Sequence, residues 1–239
     1  MLANWSGVTD LALNRWTQTN EPGRCAVRLP IFASLPQPLA LLEVGTSAGL
    51  RLYPDRYIHN SVHQIDPVDG VSEVTISCTT RGSSPLPVSL PEVVWRAGMD
   101  LNPLDVSDAA SMRWLEALVW PEQEYRLTRL QAAVDIARSD PPLLFGGDLV
   151  ERLREVADKV PDGATLVIFH SAVLAYLDED RRRVFEDQVR SLPAIWISNV
   201  GVGVLITDTQ VMATSHDNNP TPFVLVQDCI PVALMGAHG

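Results

Sequence analysis

An α/β fold, with a mostly parallel sheet, helices on both faces and an antiparallel edge, is the expectation from this 239-residue sequence. Three observations lead to it. Short, largely apolar runs without strict alternation recur at Leu39–Val44 and at residues 93–97, 143–145, 165–169 and 194–198. A strand buried on both faces reads this way, whereas a half-solvated strand alternates. Stretches of helical character separate most of these runs, and strand alternating with helix implies parallel crossover units. Finally, Phe223–Gln227 and residues 231–235 follow each other with no helix between them, which implies an antiparallel edge.

The elements follow in order. Residues 10–16 read as the end of a helix and residues 17–24 as a polar turn. Residues 25–35 are apolar and predict a short helix with Pro30 inside it, ending before Pro36 and Pro38. After the run at Leu39–Val44 come a glycine-containing turn at 45–49 and residues 50–57, which can start a helix. Residues 60–92 read as an insertion from the core: 73–80 alternate as a strand does, and 81–91 are rich in Gly, Ser and Pro. A helical region spans 109–139 with a break at Pro121, followed by a turn at 146–148 and a helix at 149–159. The charged stretch 178–191 reads as a solvated helix, its leading acids suited to the positive end of the helix dipole. One domain over 1–239 is expected, with 1–38 as an amino-terminal cover segment and 60–92 as a strand-and-loop insertion.

Composition narrows the function classes. With 46% hydrophobic and 20% charged residues the chain is of globular rather than disordered type. Its formal net charge of −11 repels phosphate backbones and anionic lipid, so a small-molecule substrate is expected, with neither nucleic acid nor membrane as partner. Cys25, Cys78 and Cys229 are odd in number and far apart, without C-x-x-C spacing, and read as thiols of a reducing compartment. No signal-peptide pattern opens the chain, and no apolar run reaches the roughly 18 residues of a membrane span. The expected location is the cytoplasm. His59, His63, His216 and His238 show no metal-ligand spacing, and no metal site is expected.

In an open α/β sheet, ligands bind beyond the carboxyl ends of the strands. After the first strand the sequence reads Glu43-Val-Gly45-Thr46-Ser47-Ala-Gly49, where glycines permit a tight turn and close backbone approach. A carboxylate ending an apolar strand is costly to bury without partners, which marks Glu43 for a function. After the second strand Asp100 is placed to accept from a ribose diol. After the third come Asp148 and Leu149, and after the fourth His170 and Ser171. Asn20, Glu21 and Arg24 form a polar turn upstream that would close over this end of the sheet. Together with Trp120, Glu122 and Gln123 these residues are candidates for the substrate side. Each has a plainer reading beside the functional one. Asp100, Asp105 and Asp148 suit helix caps or turns, His170 a packed core histidine, and Trp120 a packed indole at a helix kink.

The order of these motifs resembles class I S-adenosylmethionine-dependent methyltransferases. Glu43, Gly45 and Gly49 match their acidic-x-G-x-G-x-G loop, with Ser47 at the central glycine. The resemblance implies a Rossmann-like core and S-adenosylmethionine as cofactor, bordered by Glu43, Gly45, Thr46, Ser47, Gly49, Asp100, Asp148, Leu149, His170 and Ser171. Catalysis would consist mainly of positioning the acceptor in line with the methyl group, with His170, Glu122 and Tyr176 as candidates for a base. A closer resemblance rests on Thr17-Gln-Thr-Asn-Glu-x-Gly-Arg24, Leu41-Leu-Glu-Val-Gly-x-Ser-Ala-Gly-Leu50, Asp100-Leu-Asn-Pro-Leu-Asp-Val106, Leu118-Val-Trp-Pro-Glu-Gln123 and Phe169-His-Ser-Ala-Val-Leu-Ala-Tyr-Leu177. Together these look like the bacterial domain-of-unknown-function family 2332, over nearly the whole chain. That resemblance implies a methyltransferase-like fold without a settled activity, and further sequence at the amino end of its members.

Two other functions fit the same turn. Gly45-Thr-Ser47-Ala-Gly49 satisfies G-x-S-x-G, the nucleophile elbow of a serine hydrolase, and resembles the elbow of patatin-like lipases. Against it, only 44 residues precede Gly45, and no glycine-rich oxyanion loop comes before Leu39. A non-catalytic nucleotide-binding protein, or a degenerate Rossmann protein, would carry the same loop.

Overall fold

Leu39–Val44 has six consecutive buried residues and forms β1, the middle one of five parallel strands. The computed structural model describes residues 4–80, 86–201, 204–205 and 223–236. Before β1 come α1 (Trp5–Asn14) and α2 (Cys25–Ser34); after it come β2 (Ile58–Asn60), β3 (Gln64–Ile65), β4 (Thr75–Ser77) and β5 (Val93–Asp100). The chain continues through α3 (Ala109–Ala117), α4 (Glu124–Ser139), β6 (Leu143–Gly146), α5 (Leu149–Ala157), β7 (Thr165–Ser171) and α6 (Glu179–Arg190). It closes with β8 (Ile195–Gly201), β9 (Phe223–Gln227) and β10 (Ile230–Met235).

Seven strands form one sheet in the order β10-β9-β8-β7-β1-β5-β6. β6, β5, β1, β7 and β8 run parallel; β9 is antiparallel to β8 and β10 to β9, so the edge is antiparallel as the helix-free junction implied. Side chains alternate across a strand, and β1 divides accordingly. Leu39 and Leu41, with Val167, Phe169 and Ile197, pack under α2, α3 and α4 through Phe32, Met112, Leu115 and Leu130. Leu42 and Val44, with Ile168 and Trp196, pack against α5 and α6 through Leu153, Val156, Phe185 and Val189. Both faces are thus covered, and the unalternating apolar runs have their cause.

Local chemistry sets the helix ends. Asp108, Asp148 and Asp178 each accept from backbone amides at the start of α3, α5 and α6, satisfying donors that the helix leaves open. Pro121 falls in the break between α3 and α4. Residues 50–57 differ from expectation, forming only a 3-10 turn at Leu50–Leu52. Leu50 to Pro54 are all buried, and five successive residues cannot share one face of an α-helix. The insertion holds more structure than its one anticipated strand: β3 and β4 lie within it and join β2, which leads into it, in a three-stranded sheet of order β3-β2-β4 with β2 parallel to β4. Among the described residues no helix is long and apolar enough to cross a membrane. No group of three His, Cys, Asp or Glu is arranged to hold a metal ion there either; His216 and His238 lie outside the described residues.

From β1 the chain moves out to β5 and β6 on one side, then returns to β7 and β8 on the other. The strand order therefore reverses between β1 and β7, and open α/β sheets bind ligands beyond the carboxyl ends at such a reversal.

Candidate functional site

The turn after β1 is held by the residues on either side of it. Gly45, Ser47 and Gly49 have φ of 75°, 53° and 72°, all left-handed. A Cβ on Gly45 would lie 2.7 Å from the Val173 side chain, so glycine is required there by space as well as by backbone. Gly98 on β5 leaves room for the Thr46 side chain, which a Cβ would strike. The Ser47 amide donates to Asp100 Oδ2 at 2.8 Å, while the Asn102 amide donates to Oδ1 at 2.9 Å. Asp100 at the end of β5 thereby fixes the turn after β1.

The cover segment lies directly on this turn. Ser47 Oγ donates to Gln18 Oε1 at 2.5 Å, and Gln18 Nε2 donates to the Asn102 carbonyl oxygen at 3.0 Å. The Leu50 amide reaches Asn20 Oδ1 at 3.4 Å. Glu21 is buried and accepts from the Gly23 amide at 2.9 Å, Arg126 Nε at 2.5 Å and Arg129 Nη2 at 2.6 Å, which ties the segment to α4. Arg24 donates to Ser171 Oγ at 3.0 Å, and Asn199 Nδ2 donates to the same oxygen at 3.1 Å.

Under the turn, on the α2 face of the sheet, lies a buried cluster of charge. Glu43 pairs with Arg51 Nε at 2.6 Å and accepts from Thr46 Oγ1 at 3.0 Å. Arg51 Nη2 also donates to the Gly45 carbonyl oxygen at 2.8 Å. Burial pushes the Glu43 carboxyl up, against the pull of Arg51 and Arg28. Burial also pushes the Cys25 thiol up to about 12, so it stays neutral; its hydrogen is directed at the Arg51 carbonyl oxygen at 3.4 Å.

His170 faces the other way. Its ring packs with Phe185 and Trp196, and Nε2 meets Ser198 Oγ at 2.9 Å. Burial, reinforced by Arg28 and Arg51, lowers it from the ordinary 6.5 to about 3, so it is neutral at physiological pH.

The structure brings Glu43, Gly45, Thr46, Ser47, Gly49 and Asp100 together with Asn20, Glu21, Arg24 and Ser171. Others sit apart. Asp148 caps α5 and pairs with Arg181, and Leu149 packs with the α5–α6 cluster. Trp120 is 71% exposed, Tyr176 is 87% exposed and Glu122 is exposed, while Gln123 accepts from Arg126 Nη1 at 2.6 Å. Asp105 accepts from the Ser107 amide at 2.7 Å in a local turn. Sequence reasoning passed over Gln18, Arg28, Arg51, Ser198 and Asn199. A signal was present for two of them, since Arg28 and Arg51 are lone cations within otherwise apolar stretches. A cavity of about 430 Å³ lies elsewhere, between the insertion and α4, walled by Tyr53, Arg56, Asp69, Glu73, Asp135 and Asp140.

The chain is therefore an α/β protein with a mostly parallel sheet and a glycine-bearing turn fixed at the point where strand order reverses. It belongs to the family of uncharacterised proteins conserved in bacteria, DUF2332, whose profile matches residues 1–220. No curated protein and no solved structure matches the chain.

Proposed function

We propose that this protein binds S-adenosylmethionine in a Rossmann-like, class I methyltransferase-like core and passes the methyl group to a small molecule. The observation carrying this reading is the sheet itself. Numbered by appearance, its parallel strands run 3-2-1-4-5, the order of doubly wound nucleotide-binding sheets, with the left-handed turn at the switch point. The antiparallel strand beside the fifth is consistent with the same class.

The donor set suits the cofactor. A carboxylate offers about four acceptor sites, and loop amides use two of those on Asp100, so each oxygen retains capacity for a ribose hydroxyl. The turn from Gly45 to Gly49 would border the rest, with Ser171 at the end of the neighbouring strand. When bound, the cofactor supplies an electrophilic methyl group. The chain orients and shields: Asp100 holds the loop, and the cover segment, through Gln18 and Asn20, excludes water from it. His170 points to the opposite face and Glu122 and Tyr176 lie on the surface, so none of these three candidate bases stands at the turn, and the carboxylates there, Asp100 and Glu43, are engaged in holding it. An acceptor that is already a nucleophile at neutral pH fits that arrangement.

Calorimetric titration with S-adenosylhomocysteine tests the reading. A dissociation constant in the micromolar range is expected, about 6–8 kcal/mol of binding free energy. Asp100→Ala should weaken it by about 1.5–3 kcal/mol. No heat of binding with a folded protein overturns the proposal. The left-handed φ of Ser47 also suits a nucleophile elbow, which keeps a hydrolase in view. Its hydroxyl is held by Gln18, however, and no histidine among the described residues touches it. A fluorophosphonate probe should leave Ser47 unlabelled; a labelled Ser47 establishes the hydrolase.

A further inference from the structure

Arg28 is fully buried on α2, yet none of its three guanidinium nitrogens has an oxygen or nitrogen acceptor among the described residues. Its charge lies over the Phe169 ring, 4.8 Å from the centroid. A cation–π contact offsets only part of the loss of hydration of a buried guanidinium. The nearby carboxylates are engaged elsewhere. Glu43 is taken by Arg51 and Thr46, and Glu21 by Arg126, Arg129 and the Gly23 amide. Cys25 is neutral: its hydrogen points at the Arg51 carbonyl, and it offers Arg28 only the weak acceptor of a thiol sulfur.

The imbalance extends beyond one residue. Arg24, Arg28 and Arg51 act on one another and on Glu43 and Glu21, and Arg126 and Arg129 join through Glu21. Among the described residues, Arg28, Arg51, Arg126 and Arg129 thus set four guanidinium groups beside two carboxylates, Glu43 and Glu21, in a chain whose formal net charge is −11. The excess of positive charge lies where Glu43 ends β1 and Arg24 meets Ser171 at the end of β7. A guanidinium presents a planar fork of donors that matches the oxygens of phosphate and carboxylate.

We propose that Arg28, with Arg51 and Arg24 beside it, forms a receptor for an oxyanion, a phosphate or carboxylate group, at the carboxyl ends of β1 and β7. The group belongs either to an acidic acceptor or to the cofactor's own carboxylate, and the receptor stands whether or not the chain binds S-adenosylmethionine. An anion there meets the unused donors of Arg28 and offsets the surplus charge.

The probe is inorganic phosphate at millimolar concentration, against sodium chloride at matched ionic strength. Thermal unfolding of the full chain should show a saturable rise in Tm of about 5 °C at a hundredfold excess over Kd, absent in chloride. Arg28→Met should fold with an unchanged or higher Tm in chloride and lose the phosphate response. Arg28→Lys should keep the charge but respond severalfold more weakly, having lost the fork. Adding S-adenosylhomocysteine separates the sources. Additive shifts place the oxyanion on a second ligand, and mutually exclusive ones place it on the cofactor; either supports the receptor. No saturable response in the unaltered protein overturns the proposal, even if Arg28→Met fails to fold. A response of equal size in Arg28→Met overturns it as well.

Discussion

Glu43→Ala is expected to destabilise the protein by about 3–5 kcal/mol, the usual effect of removing one partner from a buried ion pair. The pair is buried on both sides, with Glu43 0% and Arg51 1% exposed. Without the carboxylate, Arg51 keeps its bond to the Gly45 carbonyl but loses its counter-charge, and Thr46 Oγ1 loses its acceptor. Those contacts shape the turn after β1, so the same change should also loosen the loop. Urea unfolding measures the first effect, and amide exchange at residues 45–49 the second. Adding Arg28→Met should recover part of the loss, because the two side chains belong to one charge cluster and their effects are not independent. A loss under about 1 kcal/mol in the single variant would mean that the pair contributes little.

Acid should unfold this protein steeply, and two histidines are the expected cause. His170 is lowered to about 3, chiefly by burial, and His59, whose Nε2 meets the Pro54 carbonyl oxygen at 2.9 Å, is lowered to about 4 for the same reason. Both fall below the ordinary 6.5, so between these values the unfolded chain takes up protons that the folded chain refuses. Their contribution is complete above pH 6.5 and is lost as pH falls toward 4 for His59 and toward 3 for His170. Each group accounts for about 1.4 kcal/mol per pH unit across its window, and the two together for about twice that from pH 6 to 4. Urea midpoints measured over pH 7 to 4 should show this slope, and His170→Phe should remove roughly half of it. An unaltered slope in that variant would show that His170 does not titrate as a buried neutral ring. The substitution also orphans the Ser198 hydroxyl, a pH-independent cost that shifts the curve without changing its slope.

Much of the architecture was legible in the sequence because the sheet is buried on both faces. β1, β7 and β8 read as apolar runs for the same reason that they sit in the middle, and Pro121 and Asp178 marked helix boundaries through backbone chemistry that needs no tertiary context. β2 and β3 escaped notice since strands of three and two residues are too short to show a pattern. Residues 50–57 misled because their apolar character reflects burial on all sides rather than one helical face. In the site, Glu43 announced itself as a carboxylate in an apolar strand, but its partner Arg51 is a matter of how the chain folds back. The Asp100 carboxylate was expected to face a ligand; its bond to the Ser47 amide joins positions 53 residues apart, which no local pattern encodes. Arg28 was passed over because a helix normally carries its cations on the solvated side, and here it is the buried side that has one.

The position of β1 in the sheet bears on how the chain is made. Leu39–Val44 is wholly buried in the native state, and its two neighbours are β5 and β7. β5 begins nearly 50 residues after β1 ends and β7 about 120, so at about 5–20 residues per second the first partner follows within about ten seconds and the second after about 6–24. Through that interval one edge of an intensely apolar strand waits for a mate. Pairing over such separations is slow for an isolated chain too, since long loops must close before the contacts form. The nascent protein therefore passes through a stage in which β1 is exposed as an aggregation-prone segment. A chaperone that shields extended apolar peptides would find its natural hold there, between the emergence of β1 and the arrival of β7.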